Sequence, residues 1–534
     1  MKTESSSSSI RVVLVGIALI LGALVAILGL RNYVNGGNKP TPTLMASAVA
    51  IIVSPPATST ATTTEADLPL TNTPKFSANK TSVPDNAATK KPSTNPPNPT
   101  RTAKAKPSPT LTPSPTSKPQ IEPTFAVLSG TQYIIGGDQP TPVPTFEVAS
   151  RTTNVLLLGS DVELEEGVGR TDSIIIVSIN HDGPTASMVS LPRDMWVYIP
   201  GWTMNRINTA LSRGARANYP GGAVAQLEDT ILYNFGVPIH YYAQVDFEGF
   251  KDGVDAIGGI DVAVSCRLRD WRLKSPELDP ELEENWEIFT LEPGIHYMDG
   301  DMALWYARSR RTTSDFDRGR RQQQVLRAML NKGVDLNLLP QVPELWNTYR
   351  DSFKTDMDIG RMLQLAALAP EVRKNGVQHL YIVGDQLQPY QVPESGARVQ
   401  LPVWEKAQDT FQRLFLPPAL NQASRPPITV EIVNSTDNPD LALLAAENLA
   451  WYGFEPTISD EQVEIQEQTT IEYYAQNLKG SFDWLLSWII DKPAYSIELV
   501  TDSTYDYNYQ IVLGTEYSAC RPQLFAPQIF LEQE

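Results

Sequence analysis

Apolar and polar positions fall into three regimes along the chain. Val12 to Leu30 is an uncharged apolar run between Arg11 and Arg31. At about 1.5 Å per helical residue it is long enough to cross a hydrocarbon layer roughly 30 Å thick. From 36 to 150 the pattern vanishes: 20 of the 43 prolines lie there among Thr, Ser, Asn and Ala. Such a segment buries too little apolar surface to offset its ordering entropy. Short apolar runs resume near Thr153. Residues 154–158, 173–179 and 186–190 read as strands buried on both faces. The turn residues Asn180-His181-Asp182-Gly183-Pro184 join the last two as a hairpin. Residues 222–235 read as an amphipathic helix, 241–245 as a strand, and 247–257 as a helix closed by Gly258-Gly259. A strand over 260–264, helices within 334–369 and a strand at 379–383 follow. Helices alternating with strands predict an α/β layered domain around a mixed sheet. Residues 393–427 are polar and turn-rich, as a linker would be. After it, strands at 428–433, 497–500 and 509–513 and a helix at 441–452 ended by Gly453 predict a small α+β domain. That tail shows no polar constellation, which favours binding over catalysis.

The resulting plan has a short cytoplasmic end (1–11), a transmembrane signal anchor (12–30) and a Pro/Thr/Ser-rich disordered stalk (31–150). The main folded domain (151–390), a linker (391–426) and the C-terminal domain (427–534) come next. A stalk directly after a signal anchor places the folded part outside the membrane, on the extracytoplasmic side.

Charge narrows the function. The chain carries 43 basic and 61 acidic residues, a net −18. Residues 151–534 hold 31 basic and 54 acidic groups, a net −23. A body so acidic repels phosphate backbones, which excludes general nucleic-acid binding. Two cysteines and four scattered histidines exclude a cysteine-rich zinc site and the HExxH kind of zinc hydrolase. Neither a Gly-rich phosphate loop ending in Gly-Lys-Ser/Thr nor a GxSxG elbow is present. Cys266 and Cys520 leave two readings open: a disulfide docking the tail on the main domain, or two unrelated buried thiols.

Carboxylates, arginines and amides are left to carry any chemistry. Asp161 follows the first strand, where open α/β sheets place ligand sites. Asp172, in Gly169-Arg170-Thr171-Asp172, precedes the next strand. If the intervening loop folds back, the two carboxylates meet at one sheet edge and suit Mg²⁺; otherwise they are turn residues. Arg193, in Ser190-Leu191-Pro192-Arg193-Asp194, adds a cation at that edge, and Asn205 and Asn208 follow. Arg308, Arg310, Arg311, Arg318, Arg320 and Arg321 lie within fourteen positions. On a helix starting near Asp317, residues Asp317, Arg320, Arg321 and Gln324 share one face. Leu326, Met329 and Leu330 form a core-facing stripe opposite. Converging guanidinium forks match a pyrophosphate; a solvated helix paired to Asp315 and Asp317 is the alternative.

Together these segments resemble the LytR-CpsA-Psr family of cell-wall phosphotransferases. The matching strings are NVLLLGSD, GRTDSIIIVSIN, SLPRDMWVYIPG, RINTAL, HYYAQVDFEGFKDGVDAIGGIDVAV and GIHYMDGDMALWYARSRRTTSDFDRGRRQQQVLRAML. The tail, from ITVEIVNSTDNPDLALLAAENLAWYGFEP to QIVLGTEY, is similar to the LytR C-terminal domain. The resemblance implies transfer of a glycopolymer from a polyprenyl-pyrophosphate carrier to peptidoglycan, with polyprenyl phosphate leaving and Mg²⁺ assisting. By motif it makes Asp161 and Asp172 the metal-associated aspartates and Arg170, Arg193, Arg308, Arg310 and Arg320 pyrophosphate ligands. Asp317 and Gln324 complete the pocket, with Asp317 either accepting the acceptor's proton or holding Arg320. Phe247, Phe250 and Ile257 are candidates for a lipid tunnel or ordinary core positions. Two departures are that Val162 stands where many relatives have an arginine, and that SRGARANYPGG is longer than usual. Hydrolysis of the same donors, or non-enzymatic retention of the lipid, would need the same residues.

Overall fold

The computed structural model describes residues 140–149, 151–160, 169, 171–349, 352–461, 463–474, 482–501 and 505–521. The expected anchor at 12–30, the stalk to residue 139, Asp161 and Arg170 lie outside the described residues. Among the described residues no helix is long and apolar enough to cross a membrane.

The sheet grows from strands that bury both faces. β1 (Thr152–Ser160), β2 (Thr171–Asn180) and β3 (Thr185–Ser190) form an antiparallel meander. Because side chains alternate, Ile174 and Ile176 enter one core while Ile175, Val177 and Ile179 enter the other. A helix, α1 (Ala223–Phe235), leads to β4 (Tyr241–Val245), which pairs parallel to β1. α2 (Phe247–Ala256) follows, capped by Asp246, whose carboxylate accepts from the Gly249 amide. β5 (Ile260–Val264), the hairpin strands β6 (Leu268–Leu273) and β7 (Trp286–Leu291), and β8 (Gly294–Met298) lead into α3 (Gly300–Arg308) and α4 (Asp315–Asp335). β9 (Phe353–Thr355) interrupts the helical stretch expected at 334–369 and forms a sheet edge on β4. β10 (Val377–Tyr381) closes the other edge, parallel to β3. The order β9-β4-β1-β2-β3-β10 is a mixed six-stranded sheet between two helical layers.

Two expected boundaries move. Residues 140–149, assigned to the stalk, lie along α1: the Val143 and Phe146 amides donate to the Tyr233 and Gly236 carbonyls at 3.0 and 2.9 Å. Gly236 has a φ of +66°, and a Cβ there would stand 2.2 Å from the Pro144 carbonyl oxygen. Residues 391–426 are no linker either. β11 (Leu387–Gln391) and β12 (Arg398–Pro402) form a hairpin, followed by α5 (Trp404–Arg413). Ala407, Phe411 and Leu414, spaced to share one helical face, are buried in the second core, where Phe411 stacks on Phe235.

The C-terminal domain is α/β rather than α+β. β13 (Thr429–Asn434) crosses over α6 (Pro439–Trp451) to the parallel β14 (Glu455–Ile458). β15 (Thr470–Tyr474), α7 (Asp483–Ile490), β16 (Glu498–Val500) and β17 (Tyr509–Leu513) complete a five-stranded sheet ordered β14-β13-β17-β15-β16. Its core takes in Ala263 and packs on Ile295 of the main domain. Cys266 and Cys520 are disulfide-bonded, which decides between the two readings of those residues.

Candidate active site

A cavity of about 900 Å³ opens between one face of the sheet and α2, α3 and α4, with the β6–β7 hairpin completing its wall. Most of its surface is apolar. Leu157, Ile175, Ala243 and Val245 come from the sheet, Phe247 and Phe250 from α2, Leu304 from α3, and Val325 and Leu326 from α4. In the hairpin's connection, Pro276, Leu278 and Pro280 line the cavity. The alternating Glu277, Asp279 and Glu281 are exposed. Ile257 packs in the core instead.

One end is charged. Asp172, second residue of β2, accepts from Arg193 Nη1 at 2.5 Å, and its backbone oxygen accepts from Arg318 at 3.4 Å. Burial opposes the Arg193 charge, but the bond and field of Asp172 outweigh it and hold its pKa above the usual guanidinium value. Arg308, the last residue of α3, lays its guanidinium over the Phe247 ring at 3.9 Å. Arg310 and Arg318 both approach Asp315, at 3.3 and 3.7 Å. Burial lowers the Arg318 pKa, and Arg193 and Arg310 lower it further against the pull of Asp315. Arg193 and Arg318 are largely buried and Arg308 and Arg310 are exposed; their like charges converge in an arrangement that an anionic ligand relieves. Ser173 Oγ donates to Gln322 Oε1 at 3.1 Å, fixing that amide at the same end.

The loop between α3 and α4 is held from outside. Asp270 on β6 accepts from the Arg310 and Arg311 amides at 2.7 and 3.0 Å, and Thr312 exchanges bonds with the Arg269 backbone. Arg321 closes the loop from within, donating to the carbonyls of Tyr306 and Ser309 and to Thr313.

The structure therefore brings together Asp172, Arg193, Arg308 and Arg310, and turns three expected residues elsewhere. Arg320 lies on the rear of α4, its guanidinium 5.7 Å from the Trp451 ring of the C-terminal domain. Gln324 Oε1 accepts from Tyr306 Oη, and its amide nitrogen donates to the Ala263 carbonyl. Asp317 completes a capping box with Ser314, accepting from the Ser314 amide at 2.7 Å. The face holding Arg320 and Gln324 is the one a second domain covers. Arg318, named in the arginine cluster but not among the expected ligands, and Gln322, not singled out in the sequence, take the cavity positions. Their signal was an i, i+4 polar pair at the head of the stripe containing Val325 and Leu326. Asn205 and Asn208 do not line the cavity; Asn205 Oδ1 accepts from the Arg206 amide.

Among the described residues no three His, Cys, Asp or Glu side chains converge as metal ligands. Asp172 supplies a hard carboxylate at the arginine end, a donor suited to Mg²⁺ that takes its other ligands from phosphate oxygens and water.

A family model, LytR_cpsA_psr, matches residues 131–413. A polyisoprenyl-teichoic acid–peptidoglycan teichoic acid transferase TagU of Oceanobacillus iheyensis is 31% identical over 229 residues, 42% of this chain. The chain spans 64% of that relative's length. The transferase TagT of Bacillus subtilis is 26% identical over 252 residues, 46% of this chain and 72% of the relative. The crystal structure of B. subtilis TagV aligns with a TM-score of 0.39 at 24% identity, covering 50% of this chain and 98% of that one.

Proposed function

The chain belongs to the LytR_cpsA_psr family, and we propose that it is a phosphotransferase moving a glycopolymer from a polyprenyl-pyrophosphate carrier to peptidoglycan. The observation that carries this reading is one cavity with an arginine end and a long apolar remainder. A diphosphate bearing a polyprenyl chain has that same division of charge and grease.

Phosphoryl transfer asks a protein for position and charge neutralisation more than for covalent help. Arg193, Arg308, Arg310 and Arg318 would hold the diphosphate, with Gln322 donating to its oxygens. A hydroxyl of the peptidoglycan sugar attacks the phosphorus that bears the glycan, and its proton passes to solvent or to the departing phosphate. The bond from that phosphorus to the bridging oxygen breaks, and polyprenyl phosphate leaves with the electron pair. The arginines stabilise the charge that gathers on the leaving phosphate. The hydrophobic lining from Phe247, Phe250 and Leu326 orients the lipid and excludes water. Asp172, with Asp161 as a second ligand, would hold Mg²⁺, which when bound supplies further charge neutralisation on the diphosphate.

The proposal extends to place. Residues 12–30 would anchor the chain in the cell membrane with the catalytic domain outside the cytoplasm. The Cys266–Cys520 bond supports this, since disulfides persist in oxidising compartments.

The test incubates the full chain in detergent with a polyprenyl-pyrophosphate-linked oligosaccharide, Mg²⁺ and peptidoglycan oligomers. Polyprenyl phosphate and a glycan–peptidoglycan adduct should form together. Arg308→Ala or Asp172→Ala should lower both on the order of 10²-fold. Lipid phosphate without adduct would make the protein a pyrophosphatase, and undiminished release by both variants would refute the site.

A further inference from the structure

The rear of α4 rests on the C-terminal domain. Trp451, the last residue of α6, is buried, and its ring stacks on His379 with centroids 3.5 Å apart and planes at 12°. The same ring receives Arg320 and Arg327, whose guanidinium carbons lie 5.7 and 5.2 Å from its centroid. Arg327 also pairs with Glu447 of α6 at 3.0 Å.

From His379 the contacts run toward the cavity. His379 Nδ1–H donates to Gln323 Oε1 at 2.9 Å. Gln323 Nε2 donates to Ser190 Oγ at 2.8 Å and to the Leu380 carbonyl at 3.3 Å. Ser190 ends β3, three residues before Arg193, and Gln323 is the neighbour of Gln322. Burial, then the charges of Arg327 and Arg320, hold His379 well below its usual pKa. The stack is therefore a neutral imidazole on an indole, facing two cations that belong to α4. Close by, Ser265 Oγ donates to Asn448 Oδ1, and the Cys266–Cys520 bond ties the two domains beside β6.

We propose that Trp451 is a positioning residue for the phosphate end of the cavity. By taking the charged rear of α4 on its π face, it fixes the rotation of that helix. Through His379 and Gln323 it seats Ser190, so the aim of Arg318, Gln322 and Arg193 depends on the C-terminal domain. Guanidiniums buried on a helix face need a partner surface. Without the indole, Arg320 and Arg327 would draw that face toward water and turn the pocket-facing side with it.

The inference rests on the transfer reading in its kinetic arm alone. The full chain in detergent, with Trp451→Ala, Trp451→Phe and Trp451→Leu, is titrated with geranylgeranyl pyrophosphate in Mg²⁺. Release of polyprenyl phosphate from a polyprenyl-pyrophosphate-linked oligosaccharide in the presence of peptidoglycan oligomers, and amide hydrogen exchange over 315–325, are followed in parallel. Trp451→Ala should bind the diphosphate on the order of 10-fold more weakly, because a small misplacement of several ligands is felt together. Its kcat should fall by more than its KM rises, and exchange in the first turns of α4 should quicken. Phenylalanine, which keeps a π face, should restore most of each; leucine, which keeps bulk without one, should not.

Unchanged diphosphate affinity and unchanged exchange in Trp451→Ala would overturn the proposal. If that variant melts without cooperativity, equal affinities for the phenylalanine and leucine variants overturn it, and a phenylalanine advantage supports it. A parent chain that binds the diphosphate but releases no lipid phosphate removes the transfer reading, while the affinity ratios still decide this one.

Discussion

Arg318 and Arg320 stand two residues apart, and the helix sends them to opposite sides. Arg318 faces the cavity, whereas Arg320 is covered by Trp451. Arg318→Ala should lower release of polyprenyl phosphate on the order of 10²-fold and leave melting nearly unchanged. Arg320→Ala should do the reverse, losing about 1–2 kcal/mol of stability with turnover within roughly tenfold of the parent. Steady-state release and thermal melts check both, and an equal loss of turnover would return Arg320 to the pocket. The sequence made these two hard to tell apart for a physical reason. A helical wheel finds both faces, but the richer polar face is the one expected to hold an anion. Here the ligand-binding face is mostly apolar because the cavity is, and the polar face is covered by another domain. On α1, Glu228 is a half-buried acid. Burial, then Asp356 and Asp229, push its carboxyl from an ordinary 4.5 up to about 7. The folded state thus favours the protonated acid, a contribution fully present below the ordinary value and lost as pH rises through about 7. Glu228→Gln should therefore unfold like the parent near pH 4.5 and exceed its stability at pH 8. After discounting for partial exposure the gain is about 1–2 kcal/mol, and urea melts at the two pH values measure it.

Elements that bury both faces were the easiest to read. β1 and β2 each hold an unbroken apolar run, Val155–Leu158 and Ile174–Val177, and few other structures tolerate such runs in so short a span. α5 escaped because its stripe is three residues long within a polar, proline-flanked stretch. Its burial depends on Phe235, more than 170 positions earlier. α4 begins at Asp315, two residues before the expected start, and its first turn was given chemistry that the backbone uses. Asp317 and Ser314 satisfy each other's amides at the helix start, so Asp317 acts as a cap. Asp317→Ala should cost about 1 kcal/mol of stability, and Asp317→Asn should keep release within severalfold of the parent. A collapse of turnover in the asparagine variant with unchanged melting would instead make Asp317 the base. The β6–β7 hairpin was not foreseen as a wall, although Pro276, Leu278 and Pro280 alternate with acids along its turn-rich connection. Leu278→Glu puts a charge toward the lipid end of the cavity. It should weaken binding of a long prenyl diphosphate more than a short one, since each buried methylene is worth about 0.8 kcal/mol. An equal loss for both lengths would mean that the chain does not run along Leu278.

At the scale of the whole molecule, the two folded domains share a boundary of which the sequence offered the disulfide as one of two readings but none of the packing. Ala263 and Ile295 enter the core of the C-terminal domain, and Arg327 reaches across to Glu447. Each partner reads locally as an ordinary core or surface position, so the interface is visible only once both domains are folded. The disulfide is the covalent part of that boundary, joining residues 254 apart. Closing a loop of that length restricts the unfolded chain, and the bond is worth about 5 kcal/mol on chain-entropy grounds. The consequence depends on how the remaining contacts compare with the stability of each domain. With the bond intact, the tail cannot diffuse away from β6 when α6 loosens, so the domains should melt together. Reduction, or Cys520→Ser, leaves the buried Trp451 stack, the Arg327–Glu447 pair, the Ser265–Asn448 hydrogen bond and the shared apolar contacts to hold the tail. Inter-domain surfaces of that kind ordinarily permit relative motion. Calorimetry of the full chain should then show one transition when oxidised and two when reduced, the earlier one belonging to the C-terminal domain. Exposure of Trp451 during the earlier step, followed by fluorescence quenching against a Trp451→Phe reference, would identify it. A single transition under both conditions would mean that packing alone makes the two domains one cooperative unit.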